Sequence, residues 1–514
     1  MMFTQPSHHF TNRSGKLVLG CFVVAALQYA GMAGTHAQEA SPQRMNILFI
    51  MSDDHGRNAT SCYGGKIVKT PHIDRLAEQG VKFTQAFSNN SVCSPARANL
   101  LTGKYSHLSS VKRLIINYGR LSEKFDGKQV TFPKLLQGAG YQTAVIGKWH
   151  LGSRPTGFDY FAVTPFFGDS FKCRFTIPDQ PWTGKDRDGK LQTDGYFTDA
   201  TTDPALDWIR KRDTKKPFCM LLQYRAPHAP FVPNKKHQDL FKDRVFPEPG
   251  NLHDQFEGRA PAHCKDLHNN NMIQQKVIFG GAPRKQCNGD YDHDVRILYQ
   301  DFMRRYARMV VSLDENIGRV MDYLDESGLA KNTVVIYTTD NGYFTGEHGY
   351  FNKMWMYEES IRLPLIVRSP KVRGGQVDSH IVSMVDVAPT LLDFAGVTVP
   401  AEMQGKSIKP LLMNPDAKWD NELYYHYYGL LPRESPPEMI GIRTPYAKLV
   451  FYPKLDQATA FWEYFDLTKD QGDMHNLYHH PDYKEKVKLM KEKLYTLASK
   501  YQDREALELI GKGR

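Results

Sequence analysis

The sequence predicts an α/β protein: a large, mostly parallel sheet sandwiched by helices, followed by a smaller C-terminal unit of antiparallel sheet plus helix. Three observations carry this. Continuous apolar runs such as Asn46–Met51 (NILFIM) stop abruptly in polar clusters, as strands covered on both faces do. These runs alternate with segments whose apolar residues recur at helical spacing, the pattern of helices packed on a parallel sheet. Past about residue 415, short aromatic runs separated by turn residues take their place.

From the N-terminus, Arg13 and Lys16 precede the apolar segment Leu17–Leu27, and Thr35-His36-Ala37 offers a small-residue cleavage site. Residues 1–37 therefore read as a signal peptide and the protein as secreted or periplasmic. The apolar segment is shorter than a spanning helix needs and no later stretch replaces it, so no integral membrane association is expected. Cys21 follows a lipobox-like Val18-Leu19-Gly20, but most of the apolar segment comes after it, which favours packing within the leader over a lipid anchor. The Asn46–Met51 strand opens a large α/β domain over residues 45–415. A helical Ile73–Gln79 closes at Gly80 and the strand Val81–Phe87 follows. Pro95 suits the first turn of a helix and puts Cys93 at or just before its N-terminus, with Leu100 and Leu101 on the buried side. Phe132–Gln137 reads as a short helix before the strand Gln142–Ile146, and Asp203–Arg212 as a longer one before the strand Phe218–Gln223. Apolar residues keep helical spacing from about Arg296 to Ser327, stopped by Gly328, and Thr333–Thr338 is the next buried strand. The loop-rich stretch 229–292 is long enough to be an insertion near the active face. In the C-terminal α+β subdomain, residues 416–514, antiparallel strands are expected at Glu422–Tyr428, Met439–Thr444, Lys448–Tyr452 and Phe461–Phe465, with a helix from Pro481 towards Tyr501.

At 514 residues, 41% apolar and 12% aromatic, the chain is globular in composition, neither disordered nor fibrous. The formal charge is +10, and removing Arg13 and Lys16 with the leader leaves +8, a balance that steers polyanions towards the surface. Basic residues are spread singly, with no block resembling a nucleic-acid arm, so no nucleic-acid partner is expected. Of seven cysteines, Cys264 and Cys287 share one Gly/Asn/His-rich segment and could close a loop in an oxidising compartment, although pairing does not follow from sequence.

In open parallel sheets ligands gather at the carboxyl ends of strands, so the residues that follow each strand are informative. They are Asp53-Asp54-His55, Gly147-Lys148-Trp149-His150, Arg225-Ala226-Pro227-His228 and Asp340-Asn341-Gly342. Alone, an Asp-Asp pair serves as a turn or cap. After a buried strand, and matched by Asp340 and Asn341, it offers hard oxygen ligands suited to calcium or magnesium rather than zinc. Lys148 and His150 are two apart, so on extended backbone both reach one ligand. His228 sits between Pro227 and Pro230, and Lys353 lies in a loop where a surface lysine is the ordinary reading. Cys93 is either an inert buried thiol or a group at a helix start that favours an anion. Together with Arg97 these groups describe a cationic pocket over a divalent metal, suited to hydrolysing an ester of a tetrahedral oxyanion, sulfate or phosphate.

Cys93-Ser94-Pro95-Ala96-Arg97, continuing to Leu100-Leu101-Thr102-Gly103-Lys104, resembles the signature of type I sulfatases, in which the cysteine becomes formylglycine. The likeness extends over Ser52-Asp53-Asp54, Gly147–Gly152, Ala226-Pro227-His228, Thr339–Gly342, Gly346-Glu347-His348-Gly349 and Val385–Leu391; Ala96 departs from the fuller signature, which has serine there. The resemblance implies an alkaline-phosphatase-like fold, modification by a formylglycine-generating maturase, and calcium, before magnesium, bound by Asp53, Asp54, residue 93, Asp340 and Asn341. It implies that one hydroxyl of the hydrated aldehyde attacks sulfur while the second drives the collapse that expels sulfate. Arg97 and Lys104 would hold that diol, Lys148, His228 and Lys353 would bind the sulfate group, His150 would help deprotonate the diol, and His228 or Lys353 would protonate the leaving alcohol.

Tyr196–Asp199 with Asp203–Leu206, Met354–Ser360 and Tyr425–Tyr428 look most similar to the branch that includes N-acetylglucosamine-6-sulfatases. That likeness implies a sulfated carbohydrate substrate, a 6-O-sulfate of an N-acetylglucosamine-type sugar, with His348 and His426 as sugar contacts. An arylsulfatase, a formylglycine-dependent phosphonate or phosphate ester hydrolase, and a polyanion-binding protein without turnover remain as alternatives.

Overall fold

The computed structural model of the protein describes residues 44–115, 123–263, 290–429, 436–454 and 460–512. The leader at 1–37 and the Cys264–Cys287 loop lie outside the described residues. Among the described residues, Cys62, Cys93, Cys173 and Cys219 are free thiols.

The strands run in chain order as β1 (Asn46–Asp53), β2 (Val81–Phe87), β3 (Gln142–Lys148), β4 (Tyr160–Thr164), the hairpin β5 (Lys172–Phe175) and β6 (Leu191–Asp194), β7 (Phe218–Pro227), β8 (Thr333–Thr339), the hairpin β9 (Phe344–Thr345) and β10 (Phe351–Asn352), β11 (Arg362–Arg368), β12 (Gln376–Ser383), β13 (Leu423–Tyr427), β14 (Met439–Arg443), β15 (Ala447–Tyr452) and β16 (Phe461–Asp466). Eight form the central sheet, in the order β12-β2-β11-β8-β1-β7-β3-β4. All neighbours are parallel except β11, which runs antiparallel to β2 and β8. The expected mostly parallel sheet is present.

Period-two alternation divides β1 between two cores. Leu48 and Ile50 pack beneath the helices Pro71–Glu78, Phe197–Lys211 and Tyr291–Glu326. Ile47, Phe49 and Met51 face the helices Cys93–Thr102, Phe132–Gly138 and Val387–Ala395. Every residue of β1, β7 and β8 is buried, which is why these strands read as unbroken apolar runs. The strands β13-β14-β15-β16 form a separate antiparallel sheet, covered by the helices Lys484–Lys500 and Arg504–Lys512.

Three elements differ from the sequence reading. The helix expected from Asp203 begins at Phe197 and carries Pro204 inside it. Burial of Phe197, Thr198, Thr201 and Thr202 favours the extra turns over the poor helix propensity of threonine, and the Thr201 and Thr202 hydroxyls bond back to the carbonyls four residues earlier. The second is a final helix, Arg504–Lys512, beyond Tyr501. The third concerns the loop-rich 229–292 insertion, whose described part is a packed strap. Arg259 pairs with Asp254, the Ala260 N–H donates to Glu463 of β16, and the His263 ring stacks on Phe256. Among the described residues no helix is long and apolar enough to cross a membrane.

Candidate active site

Four strand ends and one helix start converge on the carboxyl rim of the sheet. β1 ends at Asp53, and Asp54 takes a left-handed conformation, φ 63°, that turns the chain away from the strand. The Cys93–Thr102 helix has Val92 as an extended N-cap, Pro95 in its first turn and left-handed Gly103 as its stop. β3 approaches β7 so closely at Gly147 that an added Cβ would lie 1.9 Å from the Gln223 carbonyl oxygen, and Gly147 has φ 108°. His150 is left-handed too, φ 54°. Lys148 and His150 therefore do not share a face through extended backbone, as their spacing suggested; a reversal of the chain after β3 brings the histidine into the group.

Asp53 forms an ion pair with Lys148, accepts from the Cys93 thiol at 3.4 Å and lies 3.7 Å from Arg97. Asp54 accepts from Lys353 at 2.5 Å and from the Asn341 amide at 2.6 Å, and its other oxygen is 3.6 Å from His228 Nε2. Arg97 grips Asp340 through Nε and Nη2, at 3.0 and 2.8 Å, and spans to the Lys148 carbonyl and the Gln223 side-chain oxygen through Nη1, at 2.9 and 2.8 Å. One guanidinium thus ties β3, β7 and the residue after β8 together. Three acids face three permanent cations, without which each buried carboxylate would cost several kcal/mol, on the order stated for isolated buried ions. His228 is 15% exposed at its side chain and is the site's most open member.

Burial alone would raise the Asp53 carboxyl, but the cations Lys148, Arg97 and Lys353 outweigh it and hold it well below the usual carboxylate range. Burial and the neighbouring Asp53 push Asp340 up to about 6. Burial, then Asp53, pushes the Cys93 thiol up to about 12 despite Lys148 and Lys353. Burial therefore disfavours a thiolate at 93, and the group acts either as an inert thiol or after conversion to something else. Burial, with Lys148 and Arg97, keeps His150 neutral; burial, with Lys353 and Lys148, does the same for His228.

Both imidazoles have a defined tautomer. His150 Nε2 meets the Ile115 carbonyl at 3.0 Å and must donate, which leaves Nδ1 as a buried lone pair with no hydrogen-bond partner. His228 Nδ1 meets the Ala229 carbonyl at 2.6 Å and must donate, which turns the Nε2 lone pair towards Asp54. Two acceptors facing each other are relieved by a cation or a ligand's donor between them. Ligand atoms of Asp53, Asp54, Cys93 and His228 all lie within 4.8 Å of one another. Asp340 Oδ1 and Asn341 Oδ1 are buried without hydrogen-bond partners. Orphaned hard oxygens beside a carboxylate pair fit a divalent cation such as calcium.

The structure does not bring three sequence candidates into this group. Lys104 follows the helix stop at the end opposite Cys93 and pairs with Glu402 at 3.4 Å. Adjacency in the motif does not survive a ten-residue helix, which spans about 15 Å. His348 is fully buried with Nδ1 bound to Asp254 at 2.6 Å. His426 has both ring nitrogens committed, to Asp503 at 2.7 Å and Glu438 at 3.0 Å. Two contributors escaped the sequence reading. Gln223, the polar end of an apolar run, did carry a signal. Phe167 carried none: its ring stacks on His228 at 4.7 Å and has Lys148 Nζ 4.7 Å from its centroid.

The sequence matches the family model described as Sulfatase over residues 45–397, and that described as N-sulphoglucosamine sulphohydrolase, C-terminal, over residues 346–500. It is 39% identical to an N-acetylglucosamine-6-O-sulfatase of Bacteroides thetaiotaomicron, over 93% of this chain and 90% of that protein. Against the N-acetylglucosamine-6-sulfatase of Homo sapiens it is 26% identical, over 78% and 71%. A solved structure described as a complex with its substrate D-glucosamine-2-N,6-O-disulfate superposes with a TM-score of 0.80 at 38% identity, covering 90% of this chain and 99% of that one. A phosphonate monoester hydrolase of Agrobacterium radiobacter shares the fold at 20% identity and a TM-score of 0.65, over 89% and 96%.

Proposed function

Because the chain belongs to the sulfatase family and is a sulfuric ester hydrolase, we propose that it is an exported carbohydrate sulfatase that removes the 6-O-sulfate of an N-acetylglucosamine-type sugar. The sugar is supported by the likeness to relatives whose names and bound substrate give glucosamine 6-O-sulfates. Export rests on the signal-peptide pattern of residues 1–37, and we carry forward a sulfatase domain over 45–415 with an α+β subdomain over 416–514.

The observation that carries the chemistry is the convergence of Asp53, Asp54, Cys93 and His228 within 4.8 Å, with Lys148 and Lys353 on the two aspartates. Asp53, Asp54, Asp340, Asn341 and residue 93 would hold calcium, which when bound supplies positive charge against the developing charge of a sulfate oxygen. Conversion of Cys93 to formylglycine by a maturase would supply a hydrated aldehyde as nucleophile, a role the high thiol pKa denies to the cysteine itself. Lys148 and Lys353 attract the sulfate group, and His228, at the open edge, lines its entry. His150 Nδ1 has a bare lone pair and accepts the proton lost by the nucleophile. The leaving alcohol takes its proton from Lys353, or from His228 once Nε2 is protonated. Arg97, with four of its five N–H groups on Asp340, the Lys148 carbonyl and Gln223, orders the rim around residue 93.

Two measurements test the reading. Mass spectrometry of the peptide carrying residue 93 should find an aldehyde, and an unmodified thiol throughout fully active protein would refute the mechanism. Parallel turnover of sulfated N-acetylglucosamine, aryl sulfate and phosphate or phosphonate esters should favour the sugar; sulfate release from the aryl ester alone would sink the carbohydrate assignment.

A further inference from the structure

Asp54 supplies both a cluster oxygen and a sharp reversal of the chain, and its left-handed backbone is a conformation that costs an L-residue energy, though aspartate tolerates it better than most. Thr339 Oγ1 accepts from the His55 N–H at 3.3 Å in the middle of the turn, and a single tyrosine brackets its two ends. The Tyr306 hydroxyl donates to the Asp54 carbonyl at 2.6 Å and accepts from the Gly56 N–H at 2.9 Å, so one oxygen brackets residues 54–56. Tyr306 belongs to the long Tyr291–Glu326 helix, is fully buried, and is packed near-parallel to the Tyr343 ring at 5.9 Å, two residues past Asn341. Its ring also lies against Phe302 and Phe231, which leaves the hydroxyl no alternative direction. The Asp54 side chain is then aimed at Asn341, Lys353 and His228, the groups on the far side of the turn. The tyrosine touches none of the cluster's ligand atoms; it acts through the backbone between them.

We infer that Tyr306 is a positioning residue for the cation site: by bracketing the Asp54–Gly56 turn it presets the Asp54 carboxylate and sets the affinity for calcium. The inference rests on the calcium reading of the cluster. Removing the hydroxyl leaves the Asp54 carbonyl and the Gly56 N–H to satisfy themselves by moving, and the carboxylate moves with them.

The test is calorimetric titration of calcium into chelator-stripped full-length protein, for the wild type, Tyr306→Phe and Tyr299→Phe. Tyr299 lies on the same helix and bonds its hydroxyl to the Pro247 carbonyl instead, so its variant loses a tyrosine hydrogen bond from the same helix away from the turn. Tyr306→Phe should raise the calcium Kd by about tenfold, in the range for supporting groups behind a metal ligand, and regain kcat/KM at saturating calcium. Tyr299→Phe should leave Kd unchanged. An unchanged Kd in Tyr306→Phe, or an equal rise in both variants, overturns the inference while leaving the calcium reading intact; a wild type that takes up no calcium overturns both. Deuterium uptake of the wild-type peptide over residues 54–60 gives a second measurement that needs no variant. Calcium should slow exchange of the Gly56 amide, and uptake indifferent to calcium would count against the bracket.

Discussion

The carboxyl rim of the central sheet and the Asp503 junction of the C-terminal sheet both bury a carboxylate among rings and cations, and burial does not tell them apart: Asp53 and Asp503 are each fully inaccessible. Bonding does. At the junction, Asp503 Oδ2 accepts from His426, Tyr424 and Tyr428 at 2.7, 2.9 and 3.3 Å, Oδ1 accepts from the Ala506 N–H at 3.1 Å, and the far nitrogen of His426 meets Glu438. At the rim, Asp340 Oδ1, Asn341 Oδ1 and His150 Nδ1 are buried with no hydrogen-bond partner. At the junction His107 Nδ1, 3.3 Å from Asp503 Oδ2, makes no hydrogen bond, but both carboxylate oxygens are bonded and the cluster is a joint; the rim leaves carboxylate, amide and imidazole acceptors bare side by side, as a ligand site does.

Substitutions on the two sides should separate activity from stability. Cys93→Ala should lower kcat/KM by about 10⁴-fold or more, as loss of a nucleophile does, while the melting temperature stays close to wild type, because the thiol's contacts at 3.4 Å are weak. Asp503→Ala should do the reverse. It leaves His426 and two tyrosines without their acceptor, a loss of about 3 kcal/mol in stability, with turnover retained well below the melting transition. Paired melting and kinetic measurements decide the matter, and a large fall in kcat/KM for folded Asp503→Ala would break the contrast.

The junction should also respond to pH in a way that can be worked out. Burial alone would raise Asp503, but the hydrogen bond and charge of His426, with His107, hold it well below the usual carboxylate range. Burial alone would lower His426, but Asp503 and Glu438 outweigh it and raise it. The raised histidine contributes stability that is complete below about pH 6.5 and lost as pH rises through its folded value. The depressed carboxylate contributes stability above about pH 4, lost only as pH falls through its folded value. The melting difference between wild type and His426→Gln should therefore be widest near pH 5 to 6, by the same reference values, and narrow on the alkaline side. A gap that does not change with pH would mean that the imidazole is neutral in the joint.

What the sequence reveals divides along a related line. Strands β1, β2, β3, β7 and β8 and the four aromatic strands β13–β16 are legible because burial on both faces, or cross-strand packing, imposes a composition. β4 is a five-residue edge strand, β11 contains Pro364 and β12 is an edge strand broken by Asp378 and His380, so none of them has such a run. At the rim, Asp53, Asp54, Lys148, His228, Asp340 and Asn341 are legible because each sits at a strand's carboxyl end, where topology gathers residues whatever their separation in sequence. Phe167 and Tyr306 are not, because a loop and a helix bring them in through packing that no local pattern encodes.

Lys104 is the sharpest test of that division, because its expected effect is the smallest. The sulfatase-like signature extends from Cys93 to Lys104, yet the helix between them carries the two ends apart, and the lysine turns to Glu402, itself half exposed. A pair with one partner this open to solvent contributes about 0–1 kcal/mol, since water screens the charges and both side chains lose freedom in meeting. Arg97, four residues after Cys93, is one turn on, stays on the same side and makes four hydrogen bonds within the rim. Lys104→Ala should accordingly leave kcat/KM within about twofold of wild type and move the melting temperature little, as for other exposed pairs. Arg97→Lys should lower activity steeply, because a single ammonium cannot span Asp340, Lys148 and Gln223 at once. A tenfold or greater loss from Lys104→Ala, on the scale that removal of a site contact produces, would return that lysine to the rim and undo the separation that the helix imposes.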